Sequence, residues 1–275
     1  MRRIAHIFPR LLVAAAVSVS LSTIVRAQTS VPVGESIRVD RAALELPVSA
    51  PSKSAETAAF YAVNHATAYA SPDSSRPYVA LDAREPIRLL RRVGSWAEIE
   101  TNDGARGFVR EEVLSNVWVR VSKTTKTVWV YRGAEVVLTI PADMANNFFL
   151  DKQRRGSSVA PDHWRTPEGL YFVVARNAGS RFYKAFVLNY PGVKDGRSGL
   201  EEGLISESEY AAIVEADRRF RMPPMTTALG GWIEIHGDGT GSRTTWTRGC
   251  VAIPNKSIDI LWEMVHVGTP VLIES

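Results

Sequence analysis

Two stretches near the C-terminus decide how this chain is interpreted: Gly231-Trp232-Ile233-Glu234-Ile235-His236-Gly237, and then Trp246-Thr247-Arg248-Gly249-Cys250-Val251-Ala252-Ile253. The first is typical of an apolar strand ending in a histidine, and the second places a cysteine fourteen residues after that histidine. Residues 237–241, Gly-Asp-Gly-Thr-Gly, are typical of a loop. Such a loop could return the chain to the same sheet and bring the imidazole and the thiol together.

A histidine beside a cysteine suits a thiolate nucleophile. The imidazole takes the thiol proton or stabilises the thiolate, and the pair can form and resolve a thioester. Gly249 leaves the backbone before Cys250 free of side-chain bulk, so main-chain amides there could point at a developing oxyanion. From composition alone a second interpretation stays open, in which Cys250 is a small buried hydrophobe and His236 a satisfied core residue.

The same residues argue against other kinds of site. Cys250 is the only cysteine among 275 residues, so neither an intrachain disulfide nor a Cys-rich zinc site can form. The histidines show no ligand-type pairing among themselves or with Cys250, which predicts no metal site. The glycine-rich run lacks the spacing of a dinucleotide-binding loop and has no lysine in a Walker-type position.

The first 27 residues predict export. Arg2, Arg3 and Arg10 precede an uncharged stretch over residues 11–25, and Val25-Arg26-Ala27 fits a signal-peptidase site. The alternative is a retained membrane anchor, but the uncharged stretch is short against the roughly 20 apolar residues that span a bilayer. We therefore expect a signal peptide over 1–27, a periplasmic or cell-wall location, and no integral membrane segment after cleavage.

Removal of the predicted signal peptide would change the net charge of the protein. The whole chain has 33 Lys plus Arg against 29 Asp plus Glu, a formal net charge of +4. Residues 1–27 contain four arginines and no acids, so the exported chain would carry no net charge. An electrostatic argument for nucleic-acid binding then disappears, and no nucleic-acid partner is expected.

Composition and periodicity divide the remainder into three parts. Residues 28–56 lack aromatic residues and predict a flexible linker. Residues 57–115 alternate short β-type runs with turn signals and predict a small β-barrel. Residues 116–275 predict a mainly β domain with minor helices: strands at Val117–Val121, Thr127–Tyr131, Val136–Ile140, Gly169–Ala175, Lys184–Leu188, Gly231–Ile235 and Pro270–Ile273, and helices after the capping box Ser206/Glu209 and after Pro254-Asn255.

The order of motifs over 57–115 resembles a bacterial SH3-like domain, an accessory module of cell-wall enzymes. The motifs are Tyr69-Ala70-Ser71-Pro72, Pro86-Ile87-Arg88-Leu89-Leu90, Gly94-Ser95-Trp96-Ala97-Glu98-Ile99, and Asp103-Gly104 with Gly107-Phe108-Val109.

His236-Gly237, a loop, and Thr247-x-Gly249-Cys250-Val251 resemble the signature of the L,D-transpeptidase catalytic domain, a β-sandwich of bacterial cell-wall enzymes. Supporting matches are Arg165-Thr166-Pro167-Glu168-Gly169, Asn255 and Asp259 with Leu261-Trp262, and Val267-Gly268-Thr269-Pro270-Val271. The resemblance covers residues 116–275.

The resemblance implies roles for individual residues. Cys250 would be the nucleophile, His236 its base, and the carbonyl of Gly237 would orient the imidazole. Thr247, Arg248 and Gly249 would support the site and its oxyanion hole. Two further residues of the loop and signature, Arg243 and Trp246, are candidate substrate contacts.

The resemblance also implies the reaction and its partners. Cys250 would attack a peptidoglycan stem peptide, release D-alanine and pass the acyl group to an amine of a second stem or an anchored protein, with no cofactor. Such enzymes act in cell-wall organisation and cell shape.

One departure leaves alternatives open. The commoner family pattern has an arginine two residues after the cysteine, and this chain has Ala252 there. Arg243, Arg248 or Lys256 could supply a cation instead. The sequence therefore leaves open a thiol hydrolase of peptidoglycan or peptidoglycan-protein linkages, and a wall-binding protein without catalysis.

Overall fold

The structure, a computed structural model, describes residues 59–275. The predicted signal peptide (1–27) and linker (28–56) lie outside the described residues. Most strands of the described chain belong to two separate sheets, one on each side of Asn116 in the sequence.

The N-terminal sheet is antiparallel throughout, with strand order β3-β2-β6-β5-β4-β1-β7. Its strands are β1 (Ala59–Ala62), β2 (Ala66–Tyr69), β3 (Pro77–Leu81), β4 (Pro86–Val93), β5 (Trp96–Thr101), β6 (Arg106–Arg110) and β7 (Leu114–Ser115). A short 3-10 helix, Glu111–Val113, precedes the last strand. The turns predicted at Gly94 and Gly104 fall where both glycines have positive φ, which only glycine adopts readily.

The C-terminal sheet has eight strands in the order β10-β9-β8-β17-β12-β13-β14-β16. They are β8 (Val117–Ser122), β9 (Thr127–Arg132), β10 (Glu135–Pro141), β12 (Gly169–Ser180), β13 (Tyr183–Leu188), β14 (Glu234–His236), β16 (Val251–Ala252) and β17 (Pro270–Glu274). A separate parallel pair joins β11 (Met144–Ala145) to β15 (Thr245–Thr247). The mainly β fold expected from the sequence is confirmed.

Alternation of side chains explains why the first strands of this sheet form. In β8, Val117, Val119 and Val121 are buried on one face, and in β9, Val128 and Val130 are buried. They pack in one core with residues of β12, β13 and β17. Each strand buries every second residue, the period that two-faced strands require.

Three α-helices accompany the sheet: α1 (Val193–Glu201), α2 (Glu207–Arg218) and α3 (Asn255–Met264). The capping box predicted at the start of α2 is present, with Ser206 and Glu209 bonding each other's backbone amides. Another 3-10 helix spans Pro161–His163. Within the described residues, no helix has the length and apolar character to cross a membrane.

One predicted strand differs from the structure, and one helix of the structure is not predicted from the sequence. The strand predicted over 231–235 begins only at Glu234, because Trp232 has a positive φ of 57°, which is incompatible with a strand. Helix α1 is absent from the prediction because it contains two glycines, which disfavour helix. A Cβ on Gly199 would lie 2.6 Å from Leu229, so close packing requires glycine there.

The long connection between β11 and β12, residues 146–168, is fixed by a buried lysine. Lys123, fully buried after β8, donates to the carbonyls of Leu150 (2.8 Å) and Thr166 (3.2 Å) and pairs with Glu168 at 2.8 Å. Burial lowers the pKa of Lys123, and the charge of Glu168 partly opposes that effect. The connection is therefore anchored at both ends.

A buried carboxylate fixes the glycine-rich loop between β14 and β15. Asp143 is fully buried and accepts hydrogen bonds from the amides of Thr240 (2.7 Å) and Thr244 (2.9 Å) and from Thr240 Oγ1 (2.9 Å). The indole of Trp246 donates to it at 2.8 Å. Burial would raise the pKa of Asp143, but these hydrogen bonds outweigh it and the pKa is lowered. One carboxylate thus organises the loop.

The isosteric change Asp143→Asn is expected to lower the free energy of unfolding by about 3 kcal/mol near pH 7, since an amide cannot accept from all four donors. The pKa of Asp143 is depressed in the folded state, so its contribution is present above the unfolded value of about 4 and is lost as pH falls through the folded value. Denaturant unfolding at several pH values measures both effects.

The matched control is Asp162→Asn, because Asp162 is exposed and its carboxylate has no hydrogen bond among the described residues. A stability loss for Asp143→Asn no larger than the control's would contradict the role of Asp143, as would a difference from the wild type that stays constant down to pH 3.

Candidate active site

Parallel pairing of β14 with β16 sets the position of the histidine relative to the cysteine. In this register Ile235 lies opposite Val251 and His236 opposite Ala252. Side chains alternate along a strand, so Cys250, two residues before Ala252, comes to the same face as His236. The expectation that the loop returns the chain to the same sheet is confirmed.

His236 ends β14 and is buried between aromatic rings. Its imidazole stacks on Phe182 with centroids 4.3 Å apart, and Trp246 meets it edge-on at 5.9 Å. Its Nδ1 is 2.7 Å from the carbonyl oxygen of Gly237. Because a carbonyl only accepts, Nδ1 carries the hydrogen and Nε2 is left as the basic nitrogen.

The protonation of His236 follows from its burial. Burial lowers the pKa of His236, and the hydrogen bond to Gly237 and the charge of Asp238 only partly oppose it. The imidazole is therefore neutral at neutral pH and able to accept a proton.

The close approach of Asn255 and Phe182 to the backbone at position 237 requires glycine there. A Cβ on Gly237 would lie 2.4 Å from Asn255 Oδ1 and 2.8 Å from the carbonyl of Phe182. Asn255, at the start of α3, also accepts from the amide of Asp238 at 2.6 Å and donates to its carboxylate at 3.1 Å. The first residues of the loop are therefore held against both the β12–β13 turn and α3.

Cys250 is half-buried, and its Sγ lies 3.5 Å from the carbonyl oxygen of Trp232. Within residues 59–275, no hydrogen bond joins this thiol to His236. Desolvation, and then the negative charge of Glu234, raise the pKa of Cys250 to about 12, while an amide hydrogen bond from Glu234 and the charge of Lys152 act in the opposite direction. The resting pair is thus a neutral thiol and a neutral imidazole.

The turn before the cysteine is closed by Thr247. Its Oγ1 donates to the carbonyl of Cys250 at 2.7 Å and accepts from the amide of Gly249 at 3.4 Å. Gly249 has φ +132°, and a Cβ there would lie 2.8 Å from the carbonyl of Arg165. In the described part of the chain the amides of Arg248 and Cys250 donate to no protein acceptor, so both are free for a developing oxyanion.

A cleft of about 300 Å³ opens beside Cys250. Trp164 and Trp232 line it together with the side chains of four cationic residues, Lys152, Arg155, Arg181 and Arg248. Glu234 is half-buried near the thiol, and burial raises its pKa, opposed by Arg181. The cleft is therefore cationic overall and suits an anionic ligand.

The remaining residues expected at the site lie in different places. Arg248 reaches the cleft, with its guanidinium 4.5 Å from the centroid of the Trp164 ring. Trp246 contacts His236 and Asp143, as described, outside the cleft lining. Arg243 lies exposed in the loop and is also not among the cleft-lining residues.

Sequence reasoning missed three residues that shape the site: Asp143, Lys152 and Glu234. Lys152 stands in a run, Asp151-Lys152-Gln153-Arg154-Arg155, that is typical of a solvated surface. Asp143 stands between alanine and methionine, and that apolar setting was the available signal of burial. Among residues 59–275 no three His, Cys, Asp or Glu side chains are grouped to hold a metal.

Comparison with known proteins places the C-terminal part in a family. Bd1075 of Bdellovibrio bacteriovorus is 24% identical, with a match covering 58% of this chain and 48% of that one and a TM-score of 0.38. For the helical cell shape determining protein Pgp2 of Campylobacter jejuni (K307A mutant), the values are 22%, 58%, 47% and 0.36. An L,D-transpeptidase from Mycobacterium smegmatis is 13% identical, with 76% and 78% covered and a TM-score of 0.36.

The matched region spans about half the length of the first two of these proteins. No curated protein matches the chain. The family model for the YkuD L,D-transpeptidase catalytic domain matches residues 116–273, more than half of the chain. That range contains β8 to β16, all of β17 except Glu274, His236 and Cys250, and the chain therefore belongs to the L,D-transpeptidase catalytic domain family.

Proposed function

We propose that this protein is an exported L,D-transpeptidase that acts on peptidoglycan stem peptides through a thioester on Cys250. The observation that carries the proposal is the β14–β16 pairing, which places the only cysteine and a neutral, oriented histidine on one face beside a cationic cleft. A buried structural thiol would need neither the cleft nor the free amides.

Acylation begins when Cys250 turns from the carbonyl of Trp232 toward the imidazole. His236 takes the thiol proton on Nε2 as sulfur adds to the carbonyl carbon of the amide that precedes the terminal D-alanine. The amides of Arg248 and Cys250 donate to the oxyanion. Collapse breaks the C–N bond, His236 returns its proton to the leaving amine, and D-alanine departs.

Deacylation uses the same groups in reverse. An amine from a second stem or an anchored protein adds to the thioester, and His236 takes its proton. Collapse breaks the C–S bond, and the Cys250 thiolate leaves and receives that proton from His236. Water competes for the same thioester, and its reaction would make the protein a hydrolase. The Gly237 carbonyl keeps the imidazole in one tautomer through both steps.

The domain organisation fits work on the cell wall. Residues 57–115 would form an SH3-like module that holds wall polymer beside the catalytic domain of residues 116–275. The two parts are in contact in the structure: Tyr61 donates to the carbonyl of Val117 at 2.5 Å. The guanidinium of Arg84 lies 4.3 Å from the centroid of the Phe172 ring. A fixed contact of this kind would keep bound wall material near the cleft.

Purified protein incubated with tetrapeptide-bearing muropeptides is expected to release D-alanine and give an amide product with a supplied amine. Cys250→Ala should abolish release, and His236→Gln should reduce it at least 100-fold, since general-base transfer contributes about that much. Mass spectrometry of products in heavy-oxygen water follows both routes.

A matched control is Arg132→Met, because Arg132 is exposed and lies outside the cleft lining. D-Alanine release that persists in Cys250→Ala would rule out the nucleophile. Products carrying heavy oxygen with no amine adduct would identify a hydrolase, and an unreactive Cys250 with retained sacculus binding would identify a wall-binding protein without catalysis.

The protonation states predict how Cys250 reacts without substrate. Desolvation raises the pKa of Cys250 to about 12, so the thiolate fraction grows roughly tenfold per pH unit up to that value. Alkylation by iodoacetamide should be slow at pH 7 and still rise steeply between pH 8 and 10. Intact-mass measurement of alkylation rates checks this.

Free glutathione, with an ordinary thiol pKa, is the reference and should level off in the upper part of that range. A rate for Cys250 that is already level at pH 7 would instead mean a thiolate–imidazolium pair and would refute the neutral resting state.

A further inference from the structure

Lys152 is the one cation of the cleft whose charge is deeply buried. It is 5% exposed, and its Nζ donates to the carbonyl of His163 at 3.1 Å. It forms no ion pair within the described residues. A buried ammonium without a carboxylate is unfavourable, and such groups normally have a partner.

The other three cations are already engaged or exposed. Arg155 donates to the carbonyls of Thr227 and Met225, which ties the 146–168 connection to the chain before β14. Arg248 covers the Trp164 ring, and Arg181, 4.7 Å from the centroid of the Phe182 ring, is exposed. Among the described residues, Lys152 is thus the cleft cation that is buried and has no carboxylate partner.

The groups facing Lys152 define its electrostatics. Desolvation lowers the pKa of Lys152 to about 8. That value is the net result: the positive charges of Arg165 and Arg155 also lower the pKa, and the negative charges of Cys250, when it is a thiolate, and of Asp195 oppose the shift. Asp195 accepts from Tyr171 and Gly192 and pairs with Lys194, so its charge is largely satisfied elsewhere.

We propose that Lys152 binds a carboxylate of the acyl donor and so positions the scissile amide against Cys250. The proposal rests on the proposed function and assigns a substrate contact within it. A stem peptide offers two carboxylates within reach of the scissile bond. One is the terminal carboxylate of the leaving residue, and the other is the side-chain carboxylate of the residue that becomes the acyl group.

Ala252 gives this assignment its context. The commoner pattern has an arginine at this position, but Ala252 is fully buried. Its amide donates to the carbonyl of Asp143 at 3.0 Å, and its carbonyl accepts from the amide of Asp143 at 2.8 Å. A long cationic side chain at this position would have to be accommodated in the buried interior. The cation instead comes from the 146–168 connection, which follows β11 and lines the cleft together with Cys250.

The binding experiment uses Cys250→Ala protein, which cannot turn over, and three synthetic tetrapeptide stems. One is unmodified, one has an amidated C-terminus, and one has an amidated diaminopimelate side chain. We expect Lys152→Met in this background to bind the unmodified stem about 10- to 100-fold more weakly. One of the amidated stems should show the same loss with Lys152 intact and no further loss on Lys152→Met, which identifies the carboxylate.

Proton uptake is a second readout that a purely structural lysine would not produce. With a pKa of about 8, Lys152 is about half protonated at pH 8, and a bound carboxylate raises that pKa. Binding should then take up about half a proton per stem, measured by calorimetry in buffers of different ionisation enthalpy. Lys152→Met should abolish the uptake, and the control Arg132→Met should preserve it.

The outcomes separate the two proposals. If the wild-type protein releases no D-alanine, the proposed function fails, while binding by the Cys250→Ala protein still tests Lys152. Equal affinity of Lys152→Met and its parent for the unmodified stem, in a variant whose thermal unfolding is unchanged, overturns the anchor. Absence of measurable binding by all three stems overturns it as well.

Discussion

Two very short strands, β14 and β16, run parallel, and the positions of His236 and Cys250 depend on how the chain connects them. Parallel strands require a long connection, which is usually a helix. Here the connection, residues 237–250, is a glycine-rich loop followed by the short strand β15, and the loop has few internal hydrogen bonds to hold it. The buried carboxylate of Asp143 supplies them, by accepting from two loop amides, a hydroxyl and the Trp246 indole.

One aromatic ring, that of Trp246, connects the loop to His236. Trp246 donates to Asp143 and also packs edge-on against His236, whose other face stacks on Phe182. The imidazole is therefore fixed by packing on two sides and by one hydrogen bond to Gly237. Burial that fixes the ring also keeps it neutral, which is the form a general base needs.

The charge of the cleft is positive, whereas the immediate surroundings of the Cys250 thiol favour its neutral form. Cys250 is held protonated by desolvation and by Glu234, whereas the cleft beside it contains four cationic side chains. An anionic substrate would lessen the repulsion among these cations and complete the pairing of Lys152. The residue opposite His236 is a fully buried alanine, and the positive charge of the cleft comes from other segments.

Part of the fold could be predicted from local pattern alone. Alternating valines predict β8 and β9, because a half-buried strand buries every second residue. The Ser206/Glu209 capping box predicts α2, because both partners lie within one helical turn. The same applies to the histidine, glycine-rich loop and cysteine, which lie close together in the chain. Strands β15 and β16, with three residues or fewer, are too short to show a period, and glycines conceal α1.

The sequence by itself determined the nucleophile candidate, the histidine candidate, and the loop that joins them. Only the tertiary structure decided that Asp143 and Lys152 belong to the site, since each is buried by segments far away in the chain. The sequence alone does not show whether a charged residue is solvated or buried, and the pKa and partners of that residue depend on what packs over it. For the same reason, only the fold places positive charge beside Cys250 despite the alanine at position 252.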